Sequence, residues 1–367
     1  MKTVYIISNK LNTLDANSVN TSSAKYEYNL SKYLSRLTKV VILTLGLNDG
    51  QVIKDGTLEL VGVDKPEIKE KSKETLFVRK LKTLESGVVI FWGYLPLKLL
   101  PMLYLKIRRL HTCIQFVYDS HKPSIQNYSS AKKMLLNAYF GFGKMLSRFF
   151  DGYIFFQDMA AKRLKVEKKP YIVIKPGVDS AQNYSPDNND SFLVSYCGTF
   201  SVLNGIDVFL KALPYFKDLP VTFEFYGYGL LEKDVEKAAQ EYPYFKYGGV
   251  VTNEDVTKIY ERSSLLINLR LLDDEAMDFA FPSKAFECIS TGIPVLTTPV
   301  LKEKEFLEGT VVIEDITPEE IYNKIKEVYE NKDFYAEKAL KARDYVSDKY
   351  SFENSAREIF SFIDGLK

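Results

Sequence analysis

Short runs of β-branched and aromatic residues alternate with longer helical patterns along this chain, and that alternation limits the folds open to it. In the first half the runs are Val4–Ser8, Val40–Leu45, Val88–Trp92, Thr112–Tyr118, Tyr153–Phe156 and Ile172–Lys175. Helical spacing near Ser22–Arg36, Leu97–Arg109, Ala131–Phe149 and Asp158–Leu164 separates them. Parallel strands need a long crossover, so this order predicts a parallel sheet wrapped by helices. The segment Val178–Ser191, rich in Asp, Asn, Ser and Pro, breaks the pattern and reads as a linker. The runs then resume at Leu193–Cys197, Val221–Tyr226, Leu265–Leu269 and Val295–Thr298. Helices are expected near Ile206–Leu213, Leu230–Glu241, Glu254–Arg262 and Ser283–Thr291, and from Pro318 to the end. The expected class is α/β, with two doubly wound Rossmann-like domains and a ligand cleft between them. Their expected spans are 1–182 and 183–349, followed by a C-terminal helix over 350–367 that packs back on the first domain.

Several function classes drop out. The turn after the first strand, Ser8 to Thr21, has no glycine, whereas a dinucleotide fingerprint needs three. His111 and His121 are the only histidines, which excludes a metal site built on several imidazoles. Cys113, Cys197 and Cys288 lie far apart in apolar runs and match neither a disulfide framework nor zinc spacing, which points to a reducing cytoplasm. Val4 to Ile7 is too short for a signal-peptide core, and Val88 to Ile107, broken by Pro96, Lys98 and Pro101, reads as strand, turn and helix. The charge is uneven. Residues 1–182 hold 29 Lys and Arg against 15 Asp and Glu, a net +14, and the remainder is −13. A basic half suits an anionic surface or acceptor. No nucleic-acid-binding signature accompanies it.

The densest local signal is Phe281-Pro282-Ser283-Lys284-Ala285-Phe286-Glu287-Cys288-Ile289-Ser290-Thr291-Gly292-Ile293-Pro294. Ser283 is expected to N-cap a short helix that Gly292 and Pro294 end. Phe286, Ile289 and Ile293 share one face, and Lys284, Glu287 and Thr291 another. A lysine in the first turn opposes the helix dipole, an oddity that disappears if a diphosphate binds at this helix start. An ordinary solvated Lys–Glu pair is the alternative.

Other motifs precede this one in a fixed order. Lys175-Pro176-Gly177-Val178-Asp179 stands at the domain boundary, and Tyr196-Cys197-Gly198-Thr199-Phe200-Ser201 with Asn204-Gly205-Ile206-Asp207 opens the second half. Tyr226-Gly227-Tyr228-Gly229, Tyr247-Gly248-Gly249-Val250 and Leu266-Ile267-Asn268-Leu269-Arg270 follow. Together they resemble the family-four glycosyltransferases of the GT-B fold, retaining enzymes of the bacterial surface-polysaccharide type. The resemblance implies that Glu287, matching the second Glu of the family's paired-Glu motif, accepts from the donor ribose hydroxyls. It puts the donor against Ser283, Ala285, Phe286, Gly198, Thr199, Asn204, Gly227 and Val250. It also aligns Asp119 and His121, after the strand ending at Tyr118, with the catalytic position beside the donor sugar. Thr21 and Ser22 fall on the phosphate or acceptor side. The chain departs from the family where Thr199 and Asn204 replace the two cations that neutralise the diphosphate. Lys284 and Arg270 are the available substitutes. The first Glu of the pair would fall at Phe279, leaving Asp278 or Glu275 to take its role.

The expected activity is therefore transfer of a sugar from a UDP- or GDP-sugar to an acceptor hydroxyl of a growing glycan or lipid-linked acceptor. No metal and no cofactor beyond the nucleotide sugar is expected. The expected location is the cytoplasm, peripherally on the inner face of the cell membrane. Lys98–Arg109 and Lys132–Phe150 either rest on an anionic membrane or are amphipathic core helices with wet lysines. Two rivals share the architecture: a nucleotide-sugar 2-epimerase, and a non-catalytic partner of another glycosyltransferase.

Overall fold

A computed structural model describes residues 2–8, 11–15, 22–68, 74–92, 96–118, 129–177, 192–271, 278–279 and 281–366. Asp119, His121, Thr21 and Glu275 lie outside them. The chain divides into two compact units. The first gathers Met1–Gly177, Asp274–Phe281 and Tyr350–Lys367, and the second holds Val178–Asp273 and Pro282–Lys349.

The first unit has strands β1 (Val4–Ser8), β2 (Val40–Asn48), β3 (Val52–Asp55), β4 (Leu58–Asp64), β5 (Val88–Trp92), β6 (Thr112–Val117), β7 (Gly152–Phe155) and β8 (Tyr171–Val173). Its helices up to residue 177 are α1 (Ser22–Leu34), α2 (Glu74–Leu81), α3 (Pro96–Ile107), α4 (Ser130–Leu146) and α5 (Met159–Leu164). The sheet runs β3-β4-β2-β1-β5-β6-β7-β8, parallel throughout except for β3 against β4. Alternation along β1 and β2 divides their side chains between two cores. Tyr5, Val41 and Leu43 join Leu76, Phe77, Met102 and Leu105 on one side. Val4, Ile6, Val40 and Ile42 meet Leu30, Leu34, Ile359 and Ile363 on the other.

The second unit has β9 (Phe192–Phe200), β10 (Val221–Gly229), β11 (Phe245–Tyr247), β12 (Leu265–Asn268), β13 (Val295–Thr297) and β14 (Val311–Val312). Between and after them lie α6 (Ile206–Ala212), α7 (Glu232–Glu241), α8 (Asn253–Glu261), α9 (Ser283–Ile289), α10 (Lys304–Gly309), α11 (Pro318–Glu330) and α12 (Lys332–Lys349). The sheet order is β11-β10-β9-β12-β13-β14, all parallel. Strand order reverses between β9 and β12, the switch point where such sheets take ligands at their carboxyl ends. The last helix, α13 (Phe352–Gly365), belongs to the first unit and packs along α1.

The class is the α/β one expected, with two parallel-sheet Rossmann-like units. Four strands fall outside the expected set: β3, β4, β11 and β14. Among the described residues, no helix is long and apolar enough to cross a membrane.

Candidate functional site

In the second unit, the carboxyl edge of the sheet brings together the end of β9, the end of β10 with Gly227, the exit of β12 and helix α9. Helix α9 starts one residue earlier than its sequence suggests. Pro282 occupies the N-cap position, and its carbonyl accepts the Phe286 N–H at 3.2 Å. Ser283 is therefore the first helical residue, exposed and making no cap bond, which corrects its expected capping role. The Phe286 N–H, being spent inside the helix, is not an orphan donor at its start. Ala285, Phe286, Cys288 and Ile289 are buried as the periodicity requires. Thr291 is buried too rather than sharing a polar face, because the helix has ended. Its hydroxyl donates to the Cys288 carbonyl at 2.6 Å and accepts from the Ile293 N–H at 3.1 Å.

Lys284 leans off this helix onto Tyr260 of α8. Its Nζ donates to the Tyr260 hydroxyl at 2.6 Å and lies 3.4 Å from Glu287 Oε1. Tyr260 is buried beside Cys288, with its hydroxyl 3.8 Å from Sγ. Burial acts against the Lys284 charge, but Glu287, Cys288 and Cys197 outweigh it and hold the ammonium above its ordinary range. Burial pushes the Cys197 thiol up to about 12 despite Lys284, and the Cys288 thiol up to about 11. These cysteines are inert packing beneath the cation. With its side chain 53% exposed, Glu287 presents its carboxylate to solvent one turn from an anchored ammonium.

The loop after β9 is closed on itself. The Thr199 carbonyl accepts from the Tyr196 hydroxyl at 2.9 Å and from Asn204 Nδ2 at 2.8 Å. Asn204, standing where the family has a cation, thus spends its amide on the loop, while Thr199 is exposed. Leu271 N–H donates to the Leu203 carbonyl, strapping this loop to the exit of β12. There Arg270 is half-buried, its carbonyl accepting from the Thr298 hydroxyl at 2.6 Å. The reason for glycine at 227 is its neighbour strand. At φ 140°, a Cβ there would lie 1.8 Å from the Gly198 carbonyl oxygen. Val250, in the next loop, is exposed.

Sequence reasoning missed a half-buried network on the same sheet. Arg262 bonds Glu224 and donates to the Tyr226 hydroxyl at 2.8 Å, and that hydroxyl donates to Glu224 at 2.7 Å. Burial pushes the Glu224 carboxyl up, but hydrogen bonds from Arg262 and Tyr226 and the nearby cations win and leave it lowered. Alternation could have found Glu224, a charged residue at a strand centre between Phe223 and Phe225. Gly248 rests on the Tyr226 ring, so the network supports the loop leading to Val250.

In the first unit, Asp278 is held by Arg163 at 2.6 Å. Phe279, at the expected place of the first paired Glu, is core of that unit. Ser22 opens α1. The other histidine, His111, is buried and structural: its Nδ1 accepts from Gly87 N–H at 3.2 Å and its Nε2 lies 2.9 Å from the Leu81 carbonyl. Among the described residues no group of three or more His, Cys, Asp or Glu could hold a metal.

Residues 191–331 match the family model described as Glycosyl transferases group 1. No curated protein matches the chain. Solved structures match over nearly its whole length at low identity. Sucrose-phosphate synthase from Thermosynechococcus elongatus aligns with TM-score 0.73 at 15% identity, covering 100% of this chain and 99% of that one. HepE from Anabaena, in complex with UDP, aligns at 0.68 and 13% over 99% of this chain and 100% of its own. WaaG, a glycosyltransferase involved in lipopolysaccharide biosynthesis, aligns at 0.67 and 13%, with coverage of 99% and 100%. The fold is thus that of GT-B glycosyltransferases. The segment that matches the group 1 glycosyl transferase model carries Lys284 and Glu287, and the match supports the enzyme class glycosyltransferase.

Proposed function

We propose that this protein transfers a sugar from a UDP- or GDP-sugar to a hydroxyl of a growing glycan, without a metal and with retention at the anomeric carbon. The observation that carries the reading is the Lys284–Glu287 pair inside the matched segment. An exposed carboxylate offers two acceptor oxygens to a ribose diol. One turn away, the ammonium fixed by Tyr260 suits a diphosphate and stands in for the cations absent at Thr199 and Asn204. Arg270 is the second cation on that edge. A leaving diphosphate held by such fixed charge can take the acceptor proton itself. Asp119 and His121 are assigned to the donor sugar, and Thr21 and Ser22 to the acceptor or phosphate side.

HepE, solved with UDP and with UDP-glucose, supports a uridine donor. WaaG, from lipopolysaccharide biosynthesis, supports a glycan or lipid-linked acceptor. Three buried cysteines with free thiols support a cytoplasmic site of action. The test is a thermal-shift screen of nucleotide sugars, followed by an assay of nucleoside diphosphate release with and without chelator. One UDP- or GDP-sugar should stabilise the protein more than its nucleoside does, and chelator should leave turnover unchanged. Absence of stabilisation by every nucleoside diphosphate would overturn the reading.

A further inference from the structure

Helix α4 wears its apolar residues on the outside. It packs against α3 and buries Phe140, Gly143 and Leu146, with Leu136 and Tyr139 half-buried. At 3.6 residues per turn, Ala131, Leu135, Ala138, Phe142 and Met145 fall together on another side, about a third of a turn round the helix. All five are exposed, as is Met134 beside them, with Met134 at 74% and Leu135 at 69%. Phe149, in the 3-10 turn that extends the helix, continues the stripe. A core helix shows the reverse arrangement, so this stripe is too long and regular to be scattered surface leucines.

Charge says what covers it. No Asp or Glu occurs between Asp119 and Asp151, while Lys133, Lys144 and Arg148 line one flank between the two faces and Lys132 stands at the helix start. Half-buried Lys144 is drawn below its ordinary range, first by burial and then by Lys165, Arg148 and Arg163, although Arg163 also meets Asp278. A second copy of the chain fits poorly. A two-fold contact through this stripe would set the same cations against each other with no acid from the helix to offset them.

We propose that α4 lies flat on an anionic lipid surface, its stripe from Met134 to Met145 in the acyl boundary and its flanking cations on the phosphates. Such a helix pairs an apolar face with basic flanks and binds in the interface plane. The inference deepens the reading of a lipid-linked acceptor, since the membrane would be where that acceptor resides.

The test is sedimentation of the full chain with phosphatidylcholine vesicles, with or without phosphatidylglycerol. The unaltered protein should bind vesicles containing phosphatidylglycerol and lose that binding as salt rises. Met134→Glu with Phe142→Glu should weaken binding by about tenfold or more, while Met134→Leu with Phe142→Leu retains it. Phe142→Trp should shift its emission to shorter wavelength when vesicles are added. UDP affinity, measured separately, should be unchanged in every variant, so failure here is distinguishable from failure of the donor reading. Three results would overturn the proposal: no sedimentation at low salt, Glu variants that sediment as the unaltered chain does, or a dimer in light scattering that those variants dissociate.

Discussion

Glu287 and Lys284 sit one turn apart but depend on different surroundings, and their substitutions should read differently. Glu287 is mostly solvated, so Glu287→Ala should leave folding intact. It should weaken UDP binding by about 1.5–3 kcal/mol through lost charge-assisted hydrogen bonds. Calorimetry giving equal affinities would remove Glu287 from the site. Lys284→Ala should weaken UDP far more than uridine, and equal losses would transfer the diphosphate to Arg270. That Lys284 and Glu287 share a helix face was legible in the sequence because helical period is a local property. Ser283 and Asn204 were less legible. Whether a serine caps depends on which carbonyl starts the helix, and here Pro282 does. What Asn204 bonds depends on a loop that brings the Thr199 carbonyl within reach.

At the scale of elements, strands buried on both faces announced themselves as apolar runs. The β3–β4 hairpin did not: all four residues of β3 are exposed, and in the buried β4 Glu59 and Gly62 interrupt the apolar run. Its signal was a turn instead: Gly56, at φ 58°, begins the two-residue loop joining Asp55 to Leu58. The β9–β10 pairing makes a sharper claim. Gly227→Ala should lower stability by roughly 1–3 kcal/mol or more in thermal unfolding, since both its φ and the Gly198 carbonyl oppose a Cβ. The Glu224 network adds a pH signature. Its folded carboxyl titrates below the unfolded value of 4.5, so its stabilisation is present above that pH and is lost as pH falls through the folded value. Glu224→Gln should therefore cost stability in urea titrations at about pH 6, and the difference from the unaltered protein should shrink at about pH 3. An equal difference at both would mean that packing, not charge, is what Glu224 supplies.

Across the whole molecule, the first unit is built from three separate stretches of chain. Phe352, Ala356, Ile359 and Ile363 of α13 complete the core beneath α1, and the Ser355 hydroxyl donates to the Lys175 carbonyl at 2.6 Å. Removing 350–367 should unfold or loosen the first unit while the second still binds UDP. Limited proteolysis combined with calorimetry would show this, and a truncated chain as resistant as the full one would contradict it. Timing follows from the same helix. As the ribosome emits the chain, the first unit is left with an open apolar seam, while the second has all its residues out earlier, by Lys349. The half made first is thus the half finished last, and for that interval it exposes the surface most prone to aggregate.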